Sequence, residues 1–318
     1  MRPSKTRPAG TTRQLSSLRR LATEQTNAAS ADLDLKSPLE IVRIINNEDA
    51  KVAAAVKRAL PQIAEAVTVI AKALQRGGRL IYIGTGTSGR IAALDAVECG
   101  PTFNVDPERV QFVIAGGLRA LGAAVESNED SSEMGERAIA ERRPGKKDVV
   151  VGIAASGRTP FTIAAISYAR RHGAKTVAVT CNRNSALGKA AQIDIVAEVG
   201  PEVISGSTRM KAGTAQKMIL NMLSSAAMTR LGYVYGNLMV NVRLNNEKLI
   251  ERGITILERT SGSDREGAER ALRASKNNVP VALLMLQSGC VRTLAERALK
   301  RSSGNVRRAI ADLQARAK

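Results

Sequence analysis

Five short apolar runs, each followed by residues of helical spacing, constrain this 318-residue chain more than any other feature. They are RLIYIG (79–84), VQFVIAG (110–116), DVVVGIA (148–154), KTVAVTC (175–181) and IDIVAEV (193–199). Helical spacing follows at about 88–98, 119–127, 158–172 and 183–191. Apolar runs of this length fit strands buried on both faces, and their alternation with helices fits βαβ units. Right-handed crossovers then cover both faces of a five-stranded parallel sheet with helices, giving an α/β fold of three layers, αβα. In such sheets ligands bind beyond the carboxyl ends of the strands. Chemistry is therefore expected in the loops that follow the runs.

The rest of the chain divides around that core. Residues 1–22 carry six Arg or Lys and no acid, and read as a basic disordered arm. An Arg- and Ser-rich, acid-free start also resembles an organelle transit peptide. Residues 23–78 form an N-terminal helical segment packing on the core, with Ser37-Pro38 as a helix start. The core domain spans 79–258 and ends in helices from about 208 to 231 and 245 to 259. Residues 259–318 form a small helical domain with a 27-residue repeat. Ser261 to Leu283 aligns without gaps on Ser288 to Ile310, with 12 of 23 positions identical, so each unit is expected to be the same helix pair.

Composition removes several classes of function. No apolar run is long enough to span a membrane. Three cysteines without a CxxC pair fit neither a disulfide framework nor a zinc site, and suit a reducing compartment. The single histidine, His172, stands before Gly173 at a helix end and suits a helix C-terminus better than a triad. The net charge of +19 favours anionic partners. Aromatic residues make up only 2%, which leaves little to stack on bases and argues against nucleic acid.

The first run ends in Gly84-Thr85-Gly86-Thr87-Ser88-Gly89-Arg90, a GxGxxG turn between strand and helix. A dinucleotide site also wants an acid at the end of the second strand, where this chain has Ala115-Gly116-Gly117. Helix-start amides with the hydroxyls of Thr87 and Ser88 suit a phosphate monoester instead. Ala155-Ser156-Gly157-Arg158-Thr159-Pro160 repeats the design after the third run. Ser205-Gly206-Ser207-Thr208-Arg209-Met210-Lys211 adds hydroxyls and a cation before the long helix. Plain helix capping explains any one of these loops, and is a weaker explanation of all three. Arg90 and Arg158 either meet the ligand or pair structurally. No cofactor is expected.

Among the carboxylates, Glu98 is read as ending the helix after the first loop, against the helix dipole. A local rule broken in this way often marks function. Glu126 and Glu129 follow the loop of the second strand, whereas Asp95 reads as structural. Cys99 lacks a histidine partner and reads as packing.

These residues closely resemble the N-acetylmuramic acid 6-phosphate etherase family, lyases of the sugar isomerase (SIS) fold. The resemblance runs from about residue 22 to 310. It rests on Ile81–Arg90, Glu98-Cys99, Ala115-Gly116-Gly117, Glu129-Asp130, Val149–Pro160 and Pro201–Lys217, and on Thr23-Glu24, Asn27, Ser30 and Glu48-Asp49. It implies cleavage of a lactyl ether on a phosphorylated amino sugar in cell-wall recycling, in the bacterial cytoplasm, by a homodimer. It implies Glu98 as the acid and Glu129 as the second acid/base residue. Thr87, Ser88, Ser156, Gly157, Thr159, Ser207, Thr208 and Lys211 would hold the substrate. A related SIS protein, the glucokinase regulatory protein, binds without catalysis and supplies the alternative, a sugar-phosphate-binding regulator. Gly100-Pro101 departs from the family's Pro-Pro.

Overall fold

The computed structural model describes residues 21–125 and 128–316. Nearly all of the expected basic arm, and Glu126, lie outside the described residues. The chain forms two compact units. The first takes in residues up to Ala66, Ile81–Ala93 and Phe112–Leu220. The second takes in Val67–Leu80, Leu94–Gln111 and the chain from Asn221 onward.

All five apolar runs are strands: β1 (Leu80–Gly84), β2 (Val110–Ile114), β3 (Val149–Ile153), β4 (Lys175–Thr180) and β5 (Ile193–Val196). Their order in the sheet is β2-β1-β3-β4-β5. Val149 stands opposite Lys175, and Val177 opposite Ile193, in parallel register. Every residue of β1 and β3 is buried, as strands covered on both faces require. Strand order reverses between β1 and β3, and in open α/β sheets the carboxyl ends of strands at such a switch point are where ligands bind. The first two polar loops leave from these two strand ends.

The helices before the sheet are α1 (Pro38–Asp49), α2 (Val52–Arg58) and α3 (Leu60–Gln75). Ser37 and Glu40 close a capping box around the start of α1, with Pro38 in its first turn. Between the strands lie α4 (Gly86–Phe103), α5 (Arg119–Gly122), α6 (Ser132–Ala140), α7 (Pro160–Arg171) and α8 (Ala186–Ala190). The long helix α9 (Lys211–Leu231) follows β5 by way of the third polar loop.

Helix α6 has no counterpart in the sequence reading, because Met134 and Ile139 are almost its only large apolar residues. Its position depends on Gly135. A Cβ there would lie 2.1 Å from the Phe161 carbonyl oxygen, so α6 packs directly on the backbone at the start of α7.

In the second unit, α10 (Glu247–Ser261) precedes the repeat, which folds as α11 (Arg265–Ala274) with α12 (Val279–Ser288) and α13 (Arg292–Arg301) with α14 (Val306–Arg316). Asp264 and Asn278 cap α11 and α12 with their side chains. Leu257, Leu272, Leu283, Ile310 and Leu313 share one core with Val240 and Val242, so that core begins upstream of the boundary expected at 259.

Candidate functional site

Helix α4 begins at Gly86, immediately after β1 and Thr85. The amides of Gly86, Thr87 and Ser88 are the first of the helix and have no intrahelical acceptor. Gly86 takes φ +47°, a conformation that disfavours a side chain. A Cβ at this position would also lie 3.2 Å from Oε1 of Glu129. Glu129 is therefore beside the first loop, although 43 residues separate it from Gly86 in sequence. Its main-chain carbonyl accepts from the Phe161 amide at 3.1 Å, the first N–H that α7 offers after Pro160. Glu129 thus stands between the first loop and the helix that the second loop begins.

The second loop is a tight turn after β3. Gly157 takes φ +66°, its amide donates to Ala154, and its carbonyl accepts from Leu187. A Cβ on Gly157 would meet Ser185 Cβ at 2.4 Å, so glycine is required here for packing as well as for any ligand. Ser156 Oγ accepts from the Arg158 amide at 3.2 Å. Thr159 is the N-cap of α7, yet its side chain makes no cap hydrogen bond, which leaves the hydroxyl for another acceptor.

The third loop is built differently. Its Ser207, Thr208 and Met210 amides donate to Ile204, Gly206 and Ser207 within the loop. Glu202, fully buried, takes the Lys211 amide on Oε2 at 3.0 Å and the Ala212 amide on Oε1 at 2.9 Å. The start of α9 is thereby occupied by the protein's own carboxylate, and the loop offers a ligand the hydroxyls of Ser207 and Thr208. Burial holds the Glu202 carboxyl above its ordinary range, against the amides that favour its charge.

Lys211 departs from its expected place at the substrate. It is 1% exposed, and its Nζ donates to Glu48 Oε2 at 2.6 Å. The same oxygen accepts from Asn27 Nδ2 at 2.9 Å, and Lys51 bonds Oε1. Burial alone would raise the Glu48 carboxyl, but the bonds from Lys211, Lys51 and Asn27 outweigh it and hold the group at about 2. Lys211 is one half of a buried ion pair rather than a cation presented to solvent.

The segment from 22 to 30 borders these loops. Asn182 receives the Ala22 amide on Oδ1, and its Nδ2 donates to Thr23 Oγ1 and to the Ala155 carbonyl. Asn27 also donates to the Pro201 carbonyl, Ser30 Oγ to the Val203 carbonyl, and Ser205 Oγ to the Gln25 carbonyl. Helical spacing over 23–78 does not show this, although Thr23, Asn27 and Ser30 are among the residues that carry the family resemblance. The clustered Thr, Asn and Ser of this stretch were the signal for a backbone-bonded strap.

Glu98 is exposed and lies inside α4, which runs on through Pro101 to Phe103. Glu98 therefore does not stand at a helix end and does not oppose the helix dipole there. It is twelve residues along α4 from Gly86, a rise of about 18 Å. Asp95 accepts from Asn221 and Ser224 at 2.8 and 3.0 Å, a structural use. Arg90 bonds the Ala120 and Ala123 carbonyls, also structurally. His172 caps α7 through Nδ1 on the Tyr168 carbonyl. Burial pushes the Cys99 and Cys181 thiols up to about 12. Among the described residues no group of three His, Cys, Asp or Glu is placed to hold a metal, and no helix is long and apolar enough to cross a membrane.

Two family models match the chain. One, described as the glucokinase regulatory protein N-terminal SIS domain, covers residues 62–170, and the other, described as the SIS domain, covers 137–226. The N-acetylmuramic acid 6-phosphate etherase of Symbiobacterium thermophilum is 55% identical over 270 residues, which is 85% of this chain and 89% of that protein. The protein of the same name from Clostridium beijerinckii is 50% identical over 269 residues, 85% of this chain and 88% of that one.

Proposed function

This chain belongs to the N-acetylmuramic acid 6-phosphate etherase family, and from that membership we propose how its own residues divide the reaction. The enzyme is a carbon–oxygen lyase acting on a phosphosugar. It cleaves the ether between D-lactate and C3 of N-acetylmuramic acid 6-phosphate, giving N-acetylglucosamine 6-phosphate. In the open-chain sugar the C1 aldehyde acidifies the C2 proton. A base removes that proton, the C2=C3 bond forms, and the C3–O bond breaks as an acid protonates the departing lactate oxygen. Water then adds across the double bond, hydroxyl to C3 and proton to C2.

Glu129 is the residue we place at C2 or at the water. The observation that carries this is its position between the first loop and the start of α7, with Oε1 against Gly86. Thr87, Ser88, Ser156 and Thr159 hold the phosphate and sugar, with Ser207 and Thr208 adding hydroxyls. Glu98 is the acid for the lactate oxygen, in keeping with the family motif. We take the enzyme to be a homodimer, as the family resemblance implies, in which Glu98 of a second copy completes the site.

The test is D-lactate release by the wild type, by Glu98→Gln and by a mixture of Glu98→Gln with Glu129→Gln. Each variant alone is expected to release lactate about 10²–10⁴-fold more slowly than the wild type. Subunit exchange in the mixture should restore up to about a quarter of the sites if both carboxylates must come from different copies. A mixture that exchanges subunits and stays as slow as the variants contradicts the shared site. Undiminished release by folded Glu98→Gln removes it as the acid. No release by a folded wild type that binds the sugar phosphate would favour a regulator.

A further inference from the structure

We propose that Glu48 is a positioning residue for this reaction, joining the N-terminal strap to the loop that carries Ser207 and Thr208. The proposal rests on the reading above that those hydroxyls face the substrate. Glu48 is at the end of α1, 4% exposed, and has no place in any of the three polar loops. Its Oε2 nevertheless joins two of the chain's separated segments, through Asn27 Nδ2 at 2.9 Å and Lys211 Nζ at 2.6 Å. Asn27 extends the connection to the Pro201 carbonyl at 3.1 Å, and Ser30 to the Val203 carbonyl at 2.7 Å.

These bonds hold both ends of the third loop. The residues leading into it, 201–203, are tied to Asn27 and Ser30, and its end, at Lys211, is tied to Glu48. Neither the strap nor the loop belongs to a strand, and the strap has only single turns of 3-10 helix, so regular pairing does not set their register. A buried ion pair is a weak source of stability relative to apolar side chains of similar size, but it admits few alternative geometries. In this chain it fixes where the backbone of 204–210 runs, and hence where Ser207 and Thr208 point. The strap also bonds Asn182, which holds the Ala155 carbonyl of the second loop, so the same latch aligns two ligand loops.

The deciding variant is Glu48→Leu with Lys211→Met, which removes both buried charges together and leaves only Lys51, whose side chain is exposed to water, without its partner. Its KM and kcat for lactate release are measured beside its melting temperature. The expected result is a melting temperature near that of the wild type, KM raised about tenfold or more, and kcat changed much less. A folded double variant with wild-type KM overturns the proposal. If it does not fold, Asn27→Ala decides, since it removes one neutral donor to the same carboxylate: raised KM upholds the latch and unchanged KM overturns it. Ser207→Ala with Thr208→Val separates the two layers of the argument. Unchanged KM in that variant would refute the substrate-facing role of the loop, whereas raised KM there with unchanged KM in the Glu48 variants would refute the latch alone.

Discussion

The main-chain carbonyl of Glu129 accepts the Phe161 amide at 3.1 Å, and this bond helps hold a carboxylate between two loops that leave adjacent strands of the sheet. The bond is supported from behind by Gly135, whose missing side chain lets α6 lie against Phe161. On the other side is Gly86, equally bare.

Gly86→Ala is expected to damage catalysis more than stability. At φ +47° an alanine costs on the order of 1 kcal/mol of strain. Its Cβ, 3.2 Å from Glu129 Oε1, would also push the carboxylate from its place. Steady-state rates should show kcat reduced about tenfold or more, with a melting temperature only a few degrees lower. Wild-type kcat in this variant would remove Glu129 from the reacting atoms.

Thr159→Val should weaken substrate binding. The hydroxyl is not used to cap α7, and a hydrogen bond to a charged group contributes about 1.5–3 kcal/mol. KM should rise roughly 10- to 100-fold, with stability nearly unchanged because no intramolecular cap is lost. A drop in melting temperature with unchanged KM would mean that the hydroxyl serves the fold.

The Glu48 carboxyl is held at about 2, below its ordinary value of 4.5. A depressed carboxyl contributes stability above its unfolded value and loses it as pH falls through the folded one. The stability gap between wild type and Glu48→Gln should therefore be constant above pH 4.5 and narrow as pH approaches 2. Glu202 shifts the opposite way and is common to both proteins, so it cancels in the difference. Urea midpoints across that range measure the gap, and a gap that widens toward acid would contradict the pairing.

Thiol labelling should find one reactive cysteine in the native enzyme. Cys99 and Cys181 are buried, with thiols pushed up to about 12, whereas Cys290 lies partly exposed between α12 and α13. A disulfide reagent should consume one equivalent rapidly and the other two only in denaturant. Fast reaction of Cys99 would show that the second half of α4 opens readily.

The sheet is legible because strands as fully buried as β1 and β3 leave near-continuous apolar runs, and the other three strands are still apolar enough to stand out between turn residues. The first two ligand loops were legible for the same reason, as polar Gly-rich stretches at strand ends. Helix α6 was not, since its burial depends on the absence of a side chain at Gly135 rather than on an apolar stripe. Lys211 was misplaced because a lysine beside hydroxyls looks like an anion-binding cation, and its partner Glu48 is 163 residues away. Glu98 reads as a helix terminus in the sequence, yet α4 runs on through Pro101 to Phe103.

The most direct measurement of the central claim follows C2 of the sugar with Glu129→Gln and wild type in deuterium oxide. The wild type is predicted to release D-lactate and to leave deuterium at C2 of the product. The folded variant should release lactate 10²–10⁴-fold more slowly, the range that removal of one general acid or base supplies. Lactate release by the variant at the wild-type rate, with deuterium still entering C2, would contradict the account.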